Sequence, residues 1–182
     1  MQRDPDEKIL ELLNARNNQN EGVKLFLKVY GKGLYGFIMT FLHNSSDADD
    51  IFQEVLIRLV KKSGSFKGQS GLKTWVWQIA KNQCIDFLRK KKRTLKKVDS
   101  DADWNRITAF EEPYFNGDET LKRLHAEVAK LPDVQKSVFI LRYFEALNYR
   151  EIAEITKKTE SNLKTSFHLA AKKVARGLKN HL

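Results

Sequence analysis

The sequence has one cysteine, Cys84, among 182 residues. A lone thiol cannot close an internal disulfide, which fits a reducing compartment. Long apolar runs are missing as well. No uninterrupted stretch reaches the length needed to cross a bilayer, so no membrane insertion is expected. The opening residues, MQRDPDEKILELL, lack the apolar centre and small-residue cleavage site of a secretion signal. The cytoplasm is therefore the expected location. Two-residue alternation of apolar and polar side chains is also absent. The one NGD, residues 116–118, lies in a polar stretch and not between two apolar runs. Without strand signals the expected fold class is all-α. There is no fixed-period repeat and no low-complexity tract. Site chemistry is equally sparse. His43, His125, His168 and His181 are scattered, and none stands at metal-ligand spacing from Cys84. Glu127, Asp133 and Glu145 read as surface acids, and Cys84 as a small core residue. No catalytic group, metal, cofactor or small-molecule substrate is expected.

What is present is positive charge. Lys and Arg number 33 against 23 Asp and Glu, a formal net charge of +10. That excess points to a polyanionic partner, most simply nucleic acid. With 41% hydrophobic residues the chain can still bury a core.

Apolar side chains at three- and four-residue spacing divide the chain into helices. A short helix is expected over 6–14 and a longer one over 22–42, interrupted by Gly31, Gly33 and Gly36. The run NSSDADD offers Ser46 as an N-cap, with Asp49 three residues on. Ile51, Val55, Leu56 and Leu59 then form an apolar face opposite Asp50, Gln53, Glu54 and Arg58. The glycine-containing stretch KKSGSFKGQSG reads as a loop. A long helix follows in GLKTWVWQIAKNQCIDFLRKKKR. Leu72, Trp75, Val76, Ile79, Ala80 and Phe87 form its buried stripe. Trp77 falls off that stripe beside Lys73 and Lys81. An exposed indole among cations suits stacking on an unpaired base, and packing on a neighbouring loop or helix is the other reading. The basic run Arg89 to Arg93, extended by Lys96 and Lys97, exceeds what a helix dipole alone would call for. From about residue 94 to 119 periodicity disappears into an acid-rich stretch carrying Trp104, Phe110, Tyr114 and Phe115.

Helical period returns at Leu121, and Pro132 separates the next two helices. The stretch YREIAEITKKTESNLKTSFHLAAKKV then has helix-turn-helix grammar. Thr159 can cap the second helix, and Leu163 and Phe167 supply its buried face. The opposite face presents Ser161, Asn162, Lys164, Thr165 and His168, which suits a helix start in a major groove. Lys157 stands where the turn usually has glycine. Two other classes are weighed against this one. One is a conventional helix-turn-helix repressor or activator. The other is a DNA-processing enzyme using the acidic stretch.

Three stretches, DADDIFQEVLIRLVKK, SFKGQSGLKTWVWQIAKNQCIDFLRKKKR and LPDVQKSVFILRYFEALNYREIAEIT, resemble regions 2 and 4 of the extracytoplasmic-function group of bacterial RNA polymerase sigma factors, in family order. The resemblance implies two small helical domains joined by a flexible linker: 1–96 like region 2, 97–119 linker, 120–182 like region 4. It implies core RNA polymerase and promoter DNA as partners, with an anti-sigma factor as a possible third. The −10 element would meet Lys67, Gln69, Ser70, Lys73, Trp77, Lys81, Asn82, Asp86, Arg89 and Lys90. The −35 element would meet Glu160, Ser161, Asn162, Lys164, Thr165, His168 and Lys172. Asp50, Gln53, Glu54 and Arg58 would bind the polymerase. Ser166, Leu169 and Ala171 depart from the arginines the family often has there.

Overall fold

Asp4 accepts a hydrogen bond from the Asp6 amide, and Pro5 brings a φ already suited to a first helical turn, so α1 spans Pro5–Asn14. The structure, a computed structural model, describes residues 4–98 and 119–179, and every regular element among them is helical. α2, Gln19–Phe26, folds back on α1. The approach is close: a β-carbon on Gly22 would stand 2.8 Å from the Leu13 amide nitrogen. A π turn, Leu27–Gly31, then leads into α3, Lys32–Leu42. The expected glycine interruption is thus corrected, since the chain stays helical from Gln19 to Leu42 and the π turn is its one irregularity. By length and composition this stretch could cross a membrane. Here Leu34, Phe37, Ile38 and Phe41 are spent on the core.

α4, Ser45–Lys62, is capped by Asn44, which accepts from the Asp47 amide at 2.8 Å. The expected cap at Ser46 is therefore corrected by two positions, because the amide side chain of Asn44 already satisfies an orphan N–H. Ala48, Ile51, Val55 and Leu59 point inward. A 3-10 turn, Ser63–Ser65, and a loop through Gly68 at φ 66° lead to α5, Leu72–Val98. α5 outlasts its apolar period by several residues, since loss of an apolar stripe does not itself stop a lysine-rich helix. Cys84 is fully buried, and burial pushes its thiol far above the usual range.

The C-terminal half holds α6, Glu119–Ala129; α7, Asp133–Phe139, extended by a π turn, Ile140–Phe144; α8, Tyr149–Thr156; and α9, Glu160–Lys179. Two of the acids expected at the surface are not there. Glu127 is 8% exposed and accepts from Lys130 at 2.6 Å. It faces Gly177, where any β-carbon would fall 1.9 Å from its carboxylate oxygen. Glu145 is also withdrawn from solvent, with a side chain 9% exposed. Residue type alone favours exposure for both; a long-range ion pair with Lys73 overrides it for Glu145, and packing against Gly177 with a local pair to Lys130 overrides it for Glu127. Asp133 is exposed as expected.

The two halves pack on each other, α3 against α6 and α5 against α8, and one cluster of buried apolar residues runs through both. The expected linker falls mostly on residues 99–118, with Trp104, Phe110, Tyr114 and Phe115, outside the described residues. At the seam, His43 ends α3 in the left-handed region at φ 56° and is buried. Burial, reinforced by Lys136 and His125, lowers its pKa to about 3. His125 on α6 is lowered to about 4 by burial. Both folded values lie below the ordinary 6.5. Their contribution is therefore complete above about pH 6.5 and is lost as pH falls through about 4 and about 3.

Two outcomes follow. Gly22→Ala should lose about 1–3 kcal/mol by urea denaturation, although alanine is the better helix former by about 1 kcal/mol. The melting temperature should fall between about pH 7 and pH 4, and His43→Asn, which tolerates the left-handed backbone, should flatten that fall.

Candidate nucleic-acid interface

Residues of the 66–71 loop and the first turns of α5 form one wall of a groove of about 400 Å³. Phe66 and Trp75 line it with their rings 5.1 Å apart, together with Lys67, Gln69 and Ser70. Glu154 of α8 and Lys157 at its end also line the groove. Volume, two adjoining ring faces and nearby amide and ammonium groups suit one planar, polar-edged ring.

The tryptophans exchange the roles expected for them. Trp77 is fully buried. Its indole meets the edges of Tyr30 and Phe37 at 6.1 and 6.2 Å and lies under the Lys73 ammonium. Trp75, expected in the stripe, is half-buried and turned toward the groove. The expectation of an exposed Trp77 is corrected. Pattern places Trp77 off the stripe of α5, but α3 covers that side, with the Phe37 ring 6.2 Å from the indole.

The other residues expected on this face divide into two groups. Lys67, Gln69, Asn82, Asp86, Arg89 and Lys90 are exposed, and Ser70 is half-buried. Asp86 and Arg89 pair loosely at 3.9 Å, which surface exposure renders weak. Lys73 and Lys81 are half-buried and already engaged. The Lys73 ammonium contacts the Glu145 carboxylate at 3.2 Å and donates to the Glu145 carbonyl at 3.1 Å. Burial raises the Glu145 pKa, while Lys73 and the Trp77 indole lower it. Lys81 donates to the Ile155 carbonyl at 3.2 Å, in the last turn of α8. Burial lowers the Lys81 pKa, and Lys157 and Arg89 add to that effect. Within the basic run, Lys91 is spent on Asp47 at the start of α4. Lys90, Lys92 and Arg93 stay exposed.

α8 and α9 form the helix-turn-helix unit. Asn148 and Glu151 make a reciprocal capping box at the start of α8. Lys157 ends it in the left-handed conformation at φ 58°, which accounts for the glycine usual at such a turn. Thr159 accepts from the Asn162 amide at 3.4 Å and opens α9. Glu160, Ser161, Asn162, Lys164, Thr165, His168 and Lys172 are all exposed, with Leu163 buried behind them. The Lys164 ammonium lies 5.7 Å from the Tyr149 ring, which steadies a long side chain near the helix start. Arg142 reaches the same ring at 5.2 Å.

On α4, Asp50, Gln53, Glu54 and Arg58 are exposed along one side, and Glu54 accepts from Gln83 at 2.8 Å. Ile57 stands among them, 52% exposed, and was not expected there. Its position three and four residues after Glu54 and Gln53 was the available signal. Among the described residues, no group of three or more His, Cys, Asp and Glu could hold a metal ion.

Comparison with known proteins follows the same division. Residues 26–94 match the family model described as Sigma-70 region 2, and residues 121–174 match Sigma-70, region 4. The chain is 30% identical over 138 residues to RNA polymerase sigma factor SigV of Bacillus subtilis, covering 76% of this chain and 80% of that one. It is 26% identical over 157 residues to ECF RNA polymerase sigma factor SigX of the same organism, covering 84% and 81%. Among solved structures, the sigma factor RpoE in complex with the anti-sigma factor NepR from Bartonella quintana matches with a TM-score of 0.76 at 22% identity, covering 86% and 96%. CnrH in complex with the cytosolic domain of CnrY matches with a TM-score of 0.72 at 16% identity, covering 97% and 99%.

Trp77→Ala should cost about 3–5 kcal/mol of folding stability, as expected for a buried large aromatic. Trp75→Ala should cost less than about 2 kcal/mol, because its ring is only half-buried. Urea denaturation of the two variants against the parent measures the difference.

Proposed function

The chain belongs to the extracytoplasmic-function group of sigma-70-family RNA polymerase sigma factors, and from that premise we propose how its surfaces divide the work of directing core polymerase to promoters. The observation that carries this division is the placement of all seven −35 candidates on the open side of α9. The buried side of that helix is locked by Leu163, Ala170 and Val174. A rigid helix with polar side chains at its start is what direct reading of base edges requires. Asn162 and Ser161 can bond base edges, while Lys164 and Lys172 neutralise phosphates. The uncharged Ser166, Leu169 and Ala171 leave fewer phosphate contacts, and Lys173 and Arg176 farther along α9 supply others.

The −10 element falls to the loop–α5 face. Asn82, Asp86, Arg89 and Lys90 are available for the strand, with Lys67, Gln69 and Ser70 near the groove. The base-stacking role passes from Trp77 to Trp75 and Phe66. Melting then needs no hydrolysis. Base–aromatic stacking is worth roughly 1–3 kcal/mol, comparable to the ~1.4 kcal/mol per step lost from duplex stacking. Lys73 and Lys81 join this face once released from the C-terminal half. The side of α4 bearing Asp50, Gln53, Glu54 and Arg58, with Ile57 as its apolar anchor, would dock on core polymerase. The divisions at 96–97 and 119–120 are kept as the functional boundaries of the two modules and their linker.

Reconstitution with core RNA polymerase and mapping of transcription starts test the assignment as a whole. Lys164→Ala should weaken duplex promoter binding evenly across sequences and reduce the salt slope by about 1. Asn162→Ala should instead relax preference at one or two positions. Unchanged binding by both variants in a salt titration would remove α9 from the interface.

A further inference from the structure

Lys136 on α7 is buried without a counter-charge. The residue is 9% exposed, and its ammonium makes no hydrogen bond or ion pair with any described residue. Buried charges are ordinarily paired, because an ammonium taken out of water loses its hydration. Burial lowers the Lys136 pKa, and Asp133 raises it only in part. The side chain lines a pocket of about 90 Å³ where α3, α5 and α7 meet. Phe41, Ile85 and Leu88 supply its apolar lining. Arg89 and Lys92, three residues apart on one side of α5, add two more cations. Lys92 has no partner among the described residues, and Arg89 has only the loose pair with Asp86 at 3.9 Å. Asp133 is the one acid among the described lining residues.

We propose that Arg89, Lys92 and Lys136 form a binding site for one compact phosphate dianion, either the free ion or the terminal phosphate of a small ester. Three cations against one carboxylate leave two positive charges in the lining. A terminal phosphate carries about −1.5 to −2 near pH 7, whereas a phosphate within a DNA backbone carries a single charge. The dianion is the better match. At about 90 Å³ the pocket is well below the roughly 300 Å³ at which sites for drug-sized molecules begin, so a nucleoside ring would stay outside. The guanidinium offers a planar fork to two oxygens, and the ammonium groups act as point charges. The apolar lining lowers the local dielectric and strengthens each charge-assisted bond. This site goes beyond the promoter assignments and does not rest on them. Arg89 is the one residue the two share, and none of the residues lining the groove beside Trp75 lines this pocket.

The probe is inorganic phosphate, titrated into the full chain at neutral pH by isothermal calorimetry at constant ionic strength in chloride. Lys136→Met keeps an apolar stem of similar length and removes the charge. Lys24→Met, at an exposed site on α2, makes the same change in net charge. Parent and Lys24→Met should bind phosphate saturably, and Lys136→Met should bind it about tenfold more weakly or worse. In phosphate-free buffer Lys136→Met should melt no lower than the parent, since it removes a buried unpaired charge. The rise in melting temperature that phosphate gives the parent should be lost in that variant. Equal phosphate affinity for Lys136→Met and Lys24→Met would overturn the proposal, as would the absence of saturable binding by the parent into the millimolar range. Should Lys136→Met fail to fold, Lys92→Ala decides: phosphate affinity should drop severalfold, and an unchanged value overturns the site. Displacement of phosphate by a nucleoside 5′-monophosphate upholds the site with an ester as ligand; no displacement upholds it with the free ion. A single-stranded oligonucleotide lacking terminal phosphates covers the remaining source. If Lys136→Met weakens oligonucleotide binding and leaves inorganic phosphate binding unchanged, the pocket takes backbone phosphate and the dianion proposal fails.

Discussion

The Trp77 indole lies where α3, α5 and the C-terminal module converge, and its burial sets the geometry of everything around it. Tyr30 and Phe37 pack on its rings from the helix before. Lys73 covers it with an ammonium that is in turn fixed by Glu145. A large aromatic side chain buries more apolar area than most other residues can, so a helix junction built on one resists displacement. The opposite edge of α5 is thereby turned outward. That rotation puts Trp75 beside Phe66 and opens the groove in which a base could stack.

Charge placement separates the cations of α5 into two groups. Arg89, Lys90, Lys92 and Arg93 stay in water, where their attraction for an anionic partner reaches about a Debye length and is screened by salt. Lys73 and Lys81 sit deeper, where each needs an anionic or carbonyl partner to offset its desolvation. The C-terminal half supplies those partners through Glu145 and the Ile155 carbonyl.

The two DNA-facing modules are built by different means. The helix-turn-helix unit depends on local devices: a capping box at Asn148, a left-handed turn at Lys157 and a threonine cap at Thr159. These hold α8 and α9 in register whatever else the chain does. The loop–α5 face depends on long-range packing, with α1, α3 and α4 all needed to orient it. Gly22 shows how fine that packing is, since a β-carbon there would stand 2.8 Å from the Leu13 amide nitrogen.

The sequence by itself determined the all-α class, most of the helices and the exposed side of α9. Those features follow from spacing and caps, which act over a few residues and are written in neighbouring letters. It also placed Asp50, Gln53, Glu54 and Arg58 on one open side of α4, because an apolar stripe of three- and four-residue period dictates its own opposite. It left Trp77 open between exposure and packing, put Trp75 in the buried stripe where it is only half-buried, and set Glu127 and Glu145 at the surface. Each of those errors concerns a side chain whose environment is supplied by a distant helix. A periodic stripe identifies the side a helix turns toward its first neighbour and is silent about a second one. Only the tertiary structure decided that α3 covers Trp77, that Gly177 admits Glu127, and that Glu145 closes over Lys73, because those contacts join residues far apart along the chain.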